Sequence, residues 1–81
     1  MIDIAALTED DRGRMVKVTE EELGATEDVV LVNWNEKFLF VAWPDVSPPS
    51  GGHVDPALCQ FTEGRAAFER GREGPVWRLQ L

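Results

Sequence analysis

Eighty-one residues set the ceiling at one domain with one small core, because a chain this short buries only about 60% of its unfolded surface. Fifteen Asp and Glu against eight Lys and Arg leave a formal charge of −7; residues 1–36 hold ten of the acids and three of the bases, while residues 37–81 balance five against five. Displacing counterions from phosphates needs a basic stripe, and the group Arg65, Arg70, Arg72 and Arg78 is diluted by Glu69 and Glu73, so unaided nucleic-acid binding is disfavoured.

The first seven residues, Met1 to Leu7, carry Asp3 where a signal peptide places positive charge, and their apolar stretch is too short for one. Leu7-Thr-Glu-Asp-Asp-Arg-Gly13 predicts a single helical turn. Thr8 caps it, Asp11 answers as in a capping box, and Gly13 takes the left-handed conformation that stops it. Arg14 to Thr19 alternates and reads as the first strand, with Met15 shared between faces. Glu20 to Asp28 reads as a long acidic loop, a one-turn helix being the alternative, since Gly24 interrupts Glu20–Leu23 at once.

Val29 to Trp43 is the most informative stretch. Two β-branched and aromatic arms, 29–34 and 37–43, flank Asn35-Glu36 and predict an antiparallel hairpin. A two-residue turn there sets Trp34 opposite Lys37 and Val32 opposite Leu39. One face then carries Val30, Val32, Trp34, Leu39, Val41 and Trp43; the other carries Val29, Leu31, Asn33, Phe38, Phe40 and Ala42. Both faces are largely apolar, so a sheet that curls on itself is expected, with termini and loops covering part of the outside. The longest apolar run, Phe38 to Trp43, spans six residues, far below the ~20 needed to cross a bilayer. No membrane partner is expected.

Pro44 to Gly52 is turn-rich and unsuited to a central strand. His53-Val54 continues as a short strand. Asp55-Pro56 starts a capped turn through Leu58, with Pro at the first helical position, and Cys59 to Thr62 follows as a strand. Cys59 is the lone cysteine, so no intrachain disulfide forms, which suits a reducing cytoplasm. Glu63 to Gly74 is polar, with Ala66-Ala-Phe-Glu69 as a candidate helical turn, and Pro75 to Leu81 alternates like a terminal strand.

Three segments in this order carry a resemblance: Leu7 to Arg14, Val32 to Val41, and Asp55 to Leu58. The chain resembles a group of small uncharacterised proteins common in phages and prophages, with a similar L-T-x-x-D-x-G-R segment, a similar W-N-[DE]-[KR]-[FY]-x-F-V hairpin and a Pro-containing turn before the last strand. The similarity covers about residues 7–62. It implies an SH3-like β-barrel and a phage or prophage origin, hence a bacterial host cytoplasm or association with a virion; it implies no activity. The final nineteen residues and the apolar Val29-Val30 depart from that pattern. The expected fold is therefore mainly β: a small five-stranded SH3-like barrel with short helical turns, about 7–62, and a C-terminal extension over 63–81.

Candidate sites are few. His53 and Cys59 stand six apart, yet zinc wants about four ligands and a thiol protease a supported Cys–His pair; a surface histidine and a half-buried cysteine are expected instead. Glu9-Asp10-Asp11 and Glu20-Glu21-Glu22 do not follow a calcium loop's pattern and read as solvated charge. Thr8, Ser47 and Ser50 have no base nearby in sequence, and Gly51-Gly52 opens no helix, so it reads as a turn. Neither catalytic, metal nor cofactor residues are assigned, and no cofactor is expected. Among the aromatics, Phe40 with Leu31 is expected in the core, Trp34 partly exposed. Trp34, Lys37 and Trp43 are the candidate partner-binding residues, since an exposed aromatic at a barrel rim suits docking. The expected function is a non-enzymatic protein-interaction module. The alternatives are a nucleic-acid-binding small barrel and an acidic decoy of a host DNA-binding protein.

Overall fold

The computed structural model describes residues 1–20, 22 and 24–80. These form one antiparallel sheet of six strands: β1 Arg14–Thr19, β2 Thr26–Trp34, β3 Leu39–Ala42, β4 Gly51–Val54, β5 Cys59–Gly71 and β6 Gly74–Gln80. The spatial order is β4-β3-β2-β1-β5-β6. Three single 3-10 turns, Ile4–Ala6, Glu9–Asp11 and Pro56–Leu58, complete the described secondary structure.

The local signals before β1 and β5 are realised. Asp11 Oδ2 accepts the Thr8 N–H at 2.9 Å, and Gly13 follows at φ 92°. Gly13 then donates to the Leu31 carbonyl and accepts from Ala66 N–H, tying the turn to both β2 and β5. A Cβ at Gly13 would stand 2.7 Å from the Ala66 carbonyl oxygen, so glycine is required there by torsion and by space. Asp55 Oδ1 accepts from Ala57 N–H at 2.9 Å, capping the Pro56–Leu58 turn.

The central hairpin forms, but its turn lies one residue later than expected. Asn35 Oδ1 accepts from both Lys37 and Phe38 N–H, each at 2.8 Å, and Asn35 N–H donates to the Phe38 carbonyl. Glu36-Lys37 are therefore the turn residues, and Trp34 pairs with Leu39 instead of Lys37. Val32 is then bulged, because Leu31 pairs with Val41 while Asn33 pairs with Phe40. The bulge puts Trp34 on the same side as Leu31, and the shift brings Leu39 and Val41 to that side too. Phe40 is consequently only half-buried while Leu39 is fully buried; the expected Phe40–Leu31 core pair is replaced by Leu39 with Leu31.

Two cores result, one on each face. Ile2, Val16, Val29, Leu31, Leu39, Val41 and Cys59 form the first, with Ile4, Leu7, Val18, Trp34, Val54 and Phe61 against it. The N-terminal strap covers this face, and Ile2 N–H donates to the Pro56 carbonyl. Met15, Val30 and Ala66 form the second, flanked by Val32, Trp77 and Leu79. Each fully buried Leu or Val contributes on the order of 1.5–3 kcal/mol by leaving water.

Residues 63–80 supply the sixth strand, a correction to the expected five. β5 pairs with β1 through Cys59, Gln60 and Phe61, then breaks register before Arg65 meets Arg14. Gly64, at φ 104°, lies in that break. The remainder pairs with β6 from Arg65–Gln80 to Gly71–Gly74. Ala66-Ala-Phe-Glu69 is thus strand and not a helical turn. Ladder pairing and burial of Ala66 under Trp77 and Leu79 override a local helical preference. The Pro44–Ser50 loop anchors to β6, for Asp45 donates its N–H to the Trp77 carbonyl at 2.8 Å. Gly51 and Gly52 are also strand, not turn. They begin β4, an edge strand, where a glycine pair is tolerated. The acidic segment runs only to Ala25, since β2 starts at Thr26; Glu21 and Leu23, within the alternative helical turn, lie outside the described residues.

Candidate functional site

Trp34, Lys37 and Trp43 do not form one patch. Trp34 and Lys37 sit at the turn end of the β2–β3 hairpin, and Trp43 follows β3 at the other end. Trp34 is half-buried against the first core, and the Arg12 guanidinium lies 5.1 Å above its ring. Arg12 is itself held by the Val32 carbonyl at 2.9 Å. One ring face is therefore taken, and Trp34 is a poor stacking platform. Lys37 is exposed in the turn.

Trp43 is different. It is 41% exposed and its indole N–H donates to the Glu27 carboxylate across the strands. Beside it a recess of about 200 Å³ opens between Val18, Val29, Val41, Val54 and the Gly51-Gly52 backbone. Alternation explains the lining: Glu27 precedes Val29 and Leu31 on one side of β2, as Trp43 follows Leu39 and Val41 on β3. β2 lines this end of the first core with Glu27 and Val29, and β3 with Val41 and the following Trp43, whereas Gly52 on β4 contributes no side chain. A wider hollow shares Val18, Glu27 and Val54 with the recess and adds Glu20, Glu22 and Asp55. Glu27, Gly52 and Val54 carry no sequence signal of a site: Gly51 to Val54 shows no apolar alternation, and only the fold brings them beside Val18 and Val29.

The other candidates separate. Cys59 is fully buried in the first core, deeper than expected, and its Sγ donates to the Asp55 carbonyl at 3.3 Å. Burial pushes its thiol up from the ordinary 9.0, away from a reactive thiolate. His53 is exposed and packs edge-on to Phe38, 4.9 Å between centroids. Among the described residues, no cluster of three His, Cys, Asp or Glu is arranged to hold a metal ion. Ser47 Oγ donates to the Glu73 carbonyl, and Thr8 belongs to the capped turn. Among described residues, no helix is long and apolar enough to cross a membrane.

The charges also distribute unevenly. Arg65 donates to the Arg12 and Asp10 carbonyls, and Arg78 lies between Asp45 at 3.5 Å and Glu69 at 3.7 Å. Arg12 pairs with Glu9 and Arg14 with Asp11, both at 2.9 Å. The Thr8 N–H, then Arg14, holds the Asp11 carboxyl below its ordinary 3.8. Glu20, Glu22, Glu27 and Asp55, around the hollow, form no ion pair among the described residues. No family model, curated protein or solved structure matches the chain.

Proposed function

We propose that this chain is a non-enzymatic protein-interaction module, an SH3-like barrel of phage or prophage origin. The barrel reading is supported by the meander β4-β3-β2-β1 with β5 returning beside β1, and by the 3-10 turn Pro56–Leu58 leading into β5. The phage reading rests on the resemblance of residues 7–14, 32–41 and 55–58. β6 adds a hairpin to the five-strand pattern.

One observation carries the docking reading: an apolar recess stays open beside an exposed tryptophan, at the edge strand β4. Open apolar surface next to unsatisfied strand-edge groups is what a protein partner can cover. Arg65 is engaged with carbonyls and Arg78 with carboxylates, which thins the basic group left to face phosphates and disfavours the nucleic-acid alternative.

The test is affinity capture on the immobilised chain, followed by a salt titration of the retained protein. Apolar docking persists as salt rises, whereas an acidic decoy releases its partner. A shifted band in a low-salt gel-shift assay, or reproducible turnover on a substrate panel, would overturn the reading.

A further inference from the structure

On the reading just given, we propose that the mouth beside Trp43 docks an extended segment of a partner protein in which an aliphatic side chain is flanked by lysine or arginine. Three features define that occupant. The first is Gly52. A Cβ there would meet nothing within 4 Å, and Gly52 is not among the residues with positive φ. Neither space nor torsion requires glycine at this strand position, where it costs chain entropy. What the absent side chain does is keep the recess of about 200 Å³ open, with Val18, Val29, Val41 and Val54 around it. Such a lining takes an aliphatic group.

The second is charge complementarity. Glu20, Glu22, Glu27 and Asp55 line the adjoining hollow, and among the described residues no lysine or arginine lines either one. A partner cation beside the aliphatic anchor would meet these carboxylates in charge-assisted hydrogen bonds. An acidic segment would be repelled by them, and by the net charge of −7.

The third feature sets the conformation. Trp43 N–H donates to the Ser50 carbonyl, and the register pairs Val41 with Gly52 and Leu39 with Val54. Antiparallel alternation then turns the backbone groups of Gly51 and His53 away from β3, along the sheet edge. An extended segment can pair there while its alternate side chains reach the recess.

The experiment selects a randomised peptide library, displayed on phage, against the full-length chain. Enriched peptides are then synthesised with a fluorophore and titrated by polarisation. The expected consensus is an aliphatic residue with Lys or Arg within a few positions, and binding should shift the Trp43 indole N–H resonance. Gly52→Leu, checked for a melting temperature at or above wild type, fills the recess and should weaken binding at least about tenfold. The double variant Glu20→Gln/Glu22→Gln should weaken it by about threefold and flatten its salt dependence. Peptides that are acidic, or that bind the folded Gly52→Leu variant undiminished, overturn this groove and leave the interaction-module reading standing. Failure to enrich any peptide counts against both.

Discussion

Replacing each glycine of the Gly51-Gly52 pair with alanine should move stability in opposite directions. At Gly51 a Cβ would lie 1.9 Å from the Val41 carbonyl oxygen, 2.7 Å from Ala42 Cα and 2.8 Å from the Val41 carbonyl carbon. These are all backbone atoms of β3, so no rotamer change relieves the contact, and β4 must shift outward. Overpacking of this kind costs roughly 1–3 kcal/mol, and each ladder hydrogen bond lost with it costs about 1 kcal/mol more. At Gly52 nothing stands within 4 Å, and alanine gains about 0.4–1 kcal/mol by restricting the unfolded chain. A domain of this size shifts by about 4–8 °C per kcal/mol. Thermal melts followed by circular dichroism should therefore place Gly51→Ala below wild type by roughly 4–24 °C from overpacking alone. Gly52→Ala should melt above it by roughly 2–8 °C. Urea midpoints should rank the three chains in the same order. Equal midpoints for the two variants, or a Gly51→Ala chain more stable than Gly52→Ala, would refute the register of β3 against β4 on which the recess depends.

Two further outcomes follow from titratable groups. Because Asp11 has a folded-state pKa below its ordinary 3.8, the stability it contributes is complete above that value and is lost as pH falls through the lowered one. Urea midpoints of wild type should therefore fall more steeply below pH 3.8 than those of Asp11→Asn, the two curves converging at the acid limit; parallel curves would contradict the Thr8 and Arg14 contacts. Cys59, fully buried with its thiol pushed above 9.0, should resist Ellman's reagent at neutral pH and react when urea unfolds the chain. Rapid labelling of the native protein would place it elsewhere than in the first core.

What was legible in the sequence was what short-range hydrogen bonding decides. Thr8 with Asp11, Gly13, and Asp55 before Pro56 each specify their turn within a few residues, and Arg14–Thr19 forms the expected strand, with Met15 buried on one face and Val16 on the other. The hairpin was visible but not its register. The Asn35 side chain closes the turn around Glu36-Lys37, and the Val32 bulge then resets the parity that period-two counting assumes. The last hairpin is only half legible, because Ala66 to Glu69 suits a helix until Leu79 and Trp77 pair with Ala66 and Phe68. Trp43 stands out in the sequence as an aromatic closing an apolar arm, whereas Glu27 and Gly52 do not. Nothing near Gly52 in the chain announces that Val18 and Val29 will stand across from it.

Val29, Val30 and Leu31 are consecutive and all buried, which happens only where a strand is covered front and back. β5, whose register against β1 breaks around Gly64, lends Cys59 to one side and Ala66 to the other. The sheet is thus a party wall between two rooms. Cutting the chain after Thr62 would strip the rear room of its roof and leave Met15 and Val30 facing water. The shortened product should clump rather than behave as a smaller, independent barrel.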